Sequence, residues 1–192
     1  MLRADRRRRI GGSATRPPAS VGRAVLGPVV LANGEVVDLR RATARDAPAL
    51  RHFYLELSAR TLYRRFMTPT PRLPEGTLAY LTDVGRLDRE VVVATVAGRI
   101  VGEGRYHRFA GTRDAEIALV VADDWQGRGI GPALSNRLAG LASQRGVEAF
   151  TGSMLADNQA ARSVLGSAAP GAMQRVRGGE IEFRTPLPAD RD

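Results

Sequence analysis

The run 126–131, Gln-Gly-Arg-Gly-Ile-Gly, stands between a strand-like and a helix-like segment, and this order constrains the fold more than any other feature. Residues 115–121 before it are apolar and of strand character, and residues 132–141 after it carry apolar side chains at helical spacing. A strand, a glycine-rich turn and a helix in this order form an anion site, because small residues let backbone N–H groups approach phosphate oxygens. The helix N-terminus adds the positive end of its dipole. The sequence therefore predicts a phosphate-binding loop.

Two familiar phosphate-binding loops do not fit these residues. A Walker A loop ends in Gly-Lys-Ser/Thr, and the chain contains no lysine. The dinucleotide fingerprint G-x-G-x-x-G requires a third glycine where Pro132 stands. Pro132 instead suits the first turn of a helix, where its missing N–H is not needed. A glycine-rich loop that binds no ligand is the alternative at this stage.

The same run resembles the Q/R-x-x-G-x-G/A signature of the GCN5-related N-acetyltransferase (GNAT) family, whose loop holds the pyrophosphate of acetyl-CoA. The resemblance extends from about residue 36 to residue 187 and is strongest between 115 and 165. Glu116 stands ten residues before the loop glutamine, near the catalytic glutamate of the histone-acetylating members. Asn158 resembles the asparagine that opens the family's last helix beside the pantetheine arm.

This resemblance implies an α/β fold with a mixed, mostly antiparallel central sheet, splayed at the acetyl-CoA cleft and covered by helices on both faces. Acetyl-CoA is the implied cosubstrate, and no metal is expected. By resemblance, strand backbone groups bond the pantetheine, the loop holds the pyrophosphate, and the last helix flanks the arm. The implied cosubstrate-binding residues are Leu119, Val120, Val121, Gln126, Gly127, Arg128, Gly129, Ile130, Gly131, Pro132 and Asn158.

Acetyl transfer from a thioester to an amine requires that the amine first lose a proton. By resemblance, Glu116 is the candidate general base and acts through a water on a lysine-like amine. Its neighbours Ile117 and Leu119 suggest apolar surroundings for the carboxylate. The alternative is a surface glutamate paired with an arginine across the sheet. Glu103 and His107 are weaker candidates for the base.

One position departs from the family pattern. Many relatives carry a tyrosine seven residues after the last-helix asparagine, where it protonates the leaving thiolate. This chain has Leu165 there, so the general acid is unassigned. A thiolate is a fair leaving group, since a free thiol has a pKa of about 8.5, and an acid is helpful rather than essential.

The segment 57–66, Leu-Ser-Ala-Arg-Thr-Leu-Tyr-Arg-Arg-Phe, bears on the acceptor. It resembles a stretch of bacterial Pat-type protein lysine acetyltransferases, as do residues 120–126 and the missing tyrosine at Leu165. The alternative for this segment is plain helix packing, with Leu57, Leu62, Tyr63 and Phe66 in the core. Several such relatives carry a fused cyclic-nucleotide or ligase-like domain, and we expect none within these 192 residues.

Three functional hypotheses follow from these residues. The first is a protein lysine N-acetyltransferase, whose partner is an acceptor protein. The second is a small-molecule amine acetyltransferase of the same fold. The third is a non-catalytic module that binds acetyl-CoA or associates with nucleic acid through a basic tail.

Composition narrows the domain organisation. Of the net charge of +9, residues 1–23 carry +6 from seven arginines and one aspartate, so a basic nucleic-acid-binding surface is not indicated for the rest. We predict a disordered basic tail at 1–24 and one acetyltransferase domain at 25–192. A twin-arginine export signal is a competing interpretation of the tail. The absence of cysteine excludes disulfides and thiol catalysis, and no apolar run is long enough to span a bilayer. We expect a cytoplasmic protein without membrane contact, of unspecified oligomeric state.

Turn and capping signals divide the domain into elements. Asn33-Gly34 predicts a hairpin between 29–32 and 35–40, and Thr43 with Asp46 predicts a capping box. Ser58 predicts the N-cap of a helix at 59–66. Further helices are expected at 75–81, from 132 to about 145 and at 157–165, and further strands at 90–97, 99–109, 114–122, 148–153, 173–177 and 180–186.

Overall fold

A computed structural model of the chain describes residues 25–69, 73–84 and 88–188. The predicted tail at 1–24 lies outside these ranges. No helix within them is long and apolar enough to cross a membrane.

The described strands form a single mixed sheet. In chain order they are β1 Val25–Val30, β2 Val36–Arg41, β3 Arg89–Val96, β4 Arg99–Arg108, β5 Asp114–Val121, β6 Ala149–Leu155, β7 Met173–Arg177 and β8 Glu180–Pro186. Their order across the sheet is β1-β2-β3-β4-β5-β6-β8-β7. Only β5 and β6 run parallel, and the other neighbours are antiparallel. This arrangement confirms the predicted fold class.

Helices cover both faces of the sheet, as expected. They are α1 Ala47–Glu56, α2 Ala59–Phe66, α3 Glu75–Thr82, α4 Ile130–Ser143 and α5 Gln159–Ala168. Side chains alternate between the two faces along β5, and their contacts show which helices cover each face. Ile117 and Leu119 join the cluster that contains α4, whereas Val120 joins the cluster formed with α1, α2 and α3.

Several local predictions hold because they depend on neighbouring residues only. The side chain of Ser58 accepts a hydrogen bond from the Thr61 backbone N–H and caps α2, and Asp46 completes the capping box with Thr43. The final hairpin has the predicted bounds. The alternative interpretation of 57–66 as plain helix packing places Tyr63 in the core, but this side chain is 41% exposed.

The sheet splits between β5 and β6. Their pairing is confined to Asp114–Glu116 on β5 and Ala149–Thr151 on β6. Beyond this point β5 stays bonded to β4 as far as Val121, while β6 stays bonded to β8 as far as Leu155. The backbone of β5 after Glu116 therefore faces a cleft on its β6 side.

Candidate active site

The far end of β5 leads into the glycine loop through a short 3-10 turn at Asp123–Trp125. Gly127 and Gly129 have φ values of 76° and 94°, in the left-handed region that glycine adopts without strain. Gly129 is the N-cap of α4. The first N–H groups of a helix have no intrahelical acceptor, so this loop and first turn offer backbone donors to an anion. The loop geometry thus fits the pyrophosphate site that the sequence predicted.

Gly131 allows α5 to approach the first turn of α4 closely. A Cβ atom at this position would lie 2.8 Å from Cγ2 of Val164 on α5. Asn158 begins α5 as its N-cap, and its Oδ1 accepts a 3.2 Å hydrogen bond from the Ala161 N–H. The asparagine is therefore held at the helix start, as the resemblance implied. Its contact with the pantetheine arm stays a prediction.

Two side chains of the loop brace it from outside the cleft. Gln126 donates from Nε2 to Oγ1 of Thr61 at 3.0 Å and to the Val121 carbonyl at 3.1 Å. The guanidinium of Arg128 lies over the ring of Trp125 and bonds Glu35 at 2.8 Å. Hydrogen bonds from Arg128 and Asn33 hold the pKa of Glu35 below its usual range. Gln126 and Arg128 thus shape the loop with their side chains, which leaves their backbone for ligand contact.

Asp123 connects the loop to α2. Its carboxylate accepts hydrogen bonds from the Ser58 hydroxyl at 2.6 Å, the Ser58 N–H at 3.0 Å and the Thr61 hydroxyl at 2.7 Å. Burial alone would raise the pKa of Asp123, but the hydrogen bonds from Ser58 and Thr61 lower it. Sequence reasoning missed all three residues as parts of the site. The available signal was that 57–66 and 120–126 resemble the same group of relatives.

Glu116 stands where the sheet splits. It occupies the last β5–β6 pair, opposite Thr151, and faces His107 across the β4–β5 ladder. Ile117 and Leu119 do not supply the apolar surroundings expected of them: Glu116 is exposed, and these two neighbours point to the opposite face of the sheet. No ion pair within the described ranges includes Glu116, and the residues directly opposite it, His107 and Thr151, are not arginines.

Glu116 lines a groove of about 500 Å³ on the face opposite α4. Other lining residues include Phe109, Thr151, Ser153, Met173, Glu182 and Arg184. Arg184 donates two 2.9 Å hydrogen bonds to the carboxylate of Asp114, and these bonds lower the pKa of Asp114. Phe109 and Met173 are 41% and 60% exposed. The groove thus presents an open carboxylate beside exposed apolar side chains, an arrangement able to receive an amine.

The other acids considered from sequence occupy different environments. Glu103 is completely buried, accepts a 2.6 Å hydrogen bond from the Tyr54 hydroxyl and pairs with Arg105 at 2.7 Å. Burial and the Glu103 charge raise the pKa of Tyr54. This glutamate is therefore enclosed in the core and cannot meet an acceptor from solvent. Leu165 is buried against Met154 and offers no acid at that position.

Comparisons with known proteins agree with this geometry. Residues 37–168 match the family model described as an acetyltransferase (GNAT) domain. The chain is 36% identical over 144 residues to the acetyltransferase Pat of Mycolicibacterium smegmatis, a match that covers 72% of this chain and 42% of that protein. The GNAT domain of S. lividans PAT has a TM-score of 0.76 at 31% identity and is covered to 96%, with 84% of this chain aligned.

A cAMP-binding acyltransferase from Mycobacterium smegmatis aligns over the same 84% of this chain at 30% identity, with a TM-score of 0.58. Only 46% of that acyltransferase is covered, so the chain spans less than half the length of these two mycobacterial relatives. The family match includes the cleft, the glycine loop and Asn158, and it extends over more than half of the sequence. On this evidence, the chain belongs to the GNAT acetyltransferase family.

Proposed function

We propose that this protein transfers an acetyl group from acetyl-CoA to an amine, and that the acceptor is a lysine side chain of another protein. The observation that carries the proposal is the position of Glu116. Its exposed carboxylate stands at the point where β5 and β6 separate, with the cleft on one side and the groove of about 500 Å³ around it. A group at this junction can reach both an acceptor and the reacting end of a cosubstrate.

The residues present fit acetyl-CoA. The thioester supplies an activated acetyl group, and the backbone donors of 127–131 would hold the pyrophosphate. The backbone of Leu119, Val120 and Val121 would bond the pantetheine from the open edge of β5, with Asn158 flanking it. Donors from this edge would also stabilise negative charge that develops on the carbonyl oxygen.

Glu116 would act as the general base. An ammonium has no lone pair, so the acceptor must lose an N–H proton to the Glu116 carboxylate, directly or through one water. The freed nitrogen lone pair then forms the N–C bond to the acetyl carbon, and the C–S bond breaks as the sulfur leaves as a thiolate. The nitrogen gives up its second N–H proton to this thiolate, which yields the neutral amide and the CoA thiol and accounts for a site without a dedicated acid at Leu165.

A protein acceptor is supported by the shape of the groove and by the relatives. The groove is open and rimmed by exposed Phe109 and Met173, which suits an apolar protein surface around a lysine better than a small polar amine. The segments 57–66 and 120–126 both resemble Pat-type enzymes. Ser58 and Thr61 of the first segment donate hydrogen bonds to Asp123 of the second, so the two segments are in contact beside the glycine loop.

The test is an acetylation assay read by mass spectrometry. The purified protein is incubated with isotope-labelled acetyl-CoA and, in parallel, with a bacterial protein mixture or with polyamines and amino acids. Because the chain contains no lysine, labelled acetyl-lysine can only come from acceptor proteins. Labelled acetyl-lysine is expected with the protein mixture, whereas acetylation of small amines alone would contradict the proposed acceptor.

The role of Glu116 is tested in the same assay. Glu116→Gln should lose about 10²-fold or more in rate, with the calorimetric affinity for acetyl-CoA unchanged. The matched control is Glu148→Gln, an exposed glutamate immediately before β6 that pairs with Arg113 outside the groove. Full activity in Glu116→Gln would exclude it as the base.

A further inference from the structure

His107 and Glu116 are directly opposite each other on β4 and β5. Directly opposed residues of an antiparallel pair point to the same face, with Cβ atoms about 4.5–5.5 Å apart. No direct hydrogen bond or ion pair joins the two side chains within the described ranges, but at this separation one water can bridge the imidazole and the Glu116 carboxylate. This relationship could not be inferred from sequence, where His107 is a lone histidine near a strand end.

A second carboxylate orients this histidine. Nε2 of His107 lies 3.0 Å from Oδ2 of Asp88, which precedes β3. Burial would raise the pKa of Asp88, but the hydrogen bond with His107 lowers it, so this carboxylate is ionised and can only accept. The neutral ring must then donate from Nε2, which leaves the lone pair on Nδ1 free for a proton.

We infer that His107, oriented by Asp88, is a relay that takes the proton from Glu116 and passes it to solvent; the inference rests on the proposed role of Glu116. An acceptor lying in the groove covers Glu116, one of its lining residues. His107 and Asp88 do not line the groove, and their side chains are 40% and 43% exposed. His107 and Asp88 therefore stay in contact with water when a bound acceptor covers Glu116, and a proton can leave through them.

The relay balances as follows. The acceptor N–H bond breaks and its proton goes to a Glu116 oxygen. That proton then moves through a water to Nδ1 of His107, which becomes an imidazolium paired with Asp88. The Nδ1 proton afterwards leaves to solvent, and the ring returns to its Nε2–H form. Each turnover thus returns Glu116 to the carboxylate form.

Charged groups of both signs face the ring. Arg89, the cross-strand partner of His107 on β3, lies 3.9 Å from Asp88. Asp88 and Glu116 are the carboxylates on either side of the ring. Arg105, two residues before His107, pairs with Glu103 at 2.7 Å.

The first test needs no acceptor. ¹⁵N NMR of the two imidazoles should show His107 as the Nε2–H tautomer, lost in Asp88→Asn and perturbed in Glu116→Gln. His52 is the internal control, because it lies on α1 with a side chain 72% exposed and pairs with Glu56. An Nδ1–H tautomer at His107, or shifts insensitive to Glu116→Gln, would overturn the relay.

The second test uses acetyl-CoA and the acceptor protein found by mass spectrometry. His107→Gln should lower kcat about tenfold, with KM unchanged, and added imidazole should restore it; His52→Gln should match the wild type. The relay is contradicted if His107→Gln has the wild-type rate, or if its rate is low and added imidazole does not raise it. Neither result would contradict the role of Glu116 as the base. Full activity in Glu116→Gln would instead remove the proposed base and the relay with it.

Discussion

The hydroxyl of Ser58 donates a 2.6 Å hydrogen bond to the carboxylate of Asp123, across 65 residues of sequence. Thr61, one turn further along α2, donates to the same carboxylate and accepts from the Gln126 side chain. The N-terminus of α2 is thereby bonded to Asp123 and Gln126, the two ends of the segment that leads into the glycine loop. The position of the loop, and with it the affinity for acetyl-CoA, should depend on α2.

Replacing Asp123 should therefore affect both stability and cosubstrate binding. Asp123→Ala removes three hydrogen bonds, and we expect a loss of about 1 kcal/mol in unfolding free energy, limited by the solvent exposure of the carboxylate. The Kd for acetyl-CoA, measured by calorimetry, should rise several-fold. Asp124→Ala is the control, because this side chain is 60% exposed and its ion pair with Arg99 is long, at 3.9 Å. Equal effects of the two variants would contradict a bracing role for Asp123.

Acid should destabilise the fold through Asp46. Arg40 bonds both of its carboxylate oxygens, at 2.6 and 2.8 Å. Although burial raises the pKa of Asp46, the bonds from Arg40 and Thr43 lower it below the unfolded value. The stabilisation is thus complete above about pH 4 and is lost as pH falls through the folded pKa.

Urea unfolding followed by circular dichroism between pH 7 and pH 3 measures this dependence. Asp46→Asn should be less stable than the wild type at pH 7, and the gap should narrow toward pH 3. A gap that stays constant with pH would show that the Asp46 charge is not involved.

Gly131 and Gly140 form a matched pair on α4. Gly131→Ala places a methyl group 2.8 Å from Val164, and we expect about 1–3 kcal/mol of destabilisation together with weaker acetyl-CoA binding, because α5 must move. Gly140→Ala meets no atom within 4 Å and should stabilise the helix by up to about 1 kcal/mol. Thermal unfolding and calorimetry report the two quantities. Recovery in Gly131→Ala/Val164→Ala would identify the contact as the cause.

Glu103 and Arg105 should show strong coupling. Arg105→Met leaves a fully buried carboxylate without its cation and should cost about 3–5 kcal/mol. Glu103→Gln/Arg105→Met removes both charges while keeping an acceptor for the Tyr54 hydroxyl, so it should cost less than the single Arg105 change. Urea unfolding of the double-mutant cycle measures the coupling, and additive losses would show that the pair does not interact.

Local sequence was sufficient wherever a structure depends on residues a few positions apart. Ser58 caps the helix that begins one residue later, and Asn158 begins α5 in the same way. The glycine loop lies between a strand and a helix, as its own residues indicate, and Gly129 adopts the left-handed conformation that it allows. The resemblance to the GNAT family, carried by these same short motifs, is confirmed.

Contacts between distant residues required the tertiary structure. Side chains alternate along a strand, so the apolar neighbours of Glu116 face α4 while Glu116 itself faces the groove. The two faces differ only in which helices cover them, and the sequence around Glu116 does not contain that information. The opposition of His107 and Glu116 depends on strand register, and the bond between Ser58 and Asp123 depends on how α2 lies on the sheet. The residues that hold the loop and those that stand beside the base were therefore decided by long-range packing, which no local pattern encodes.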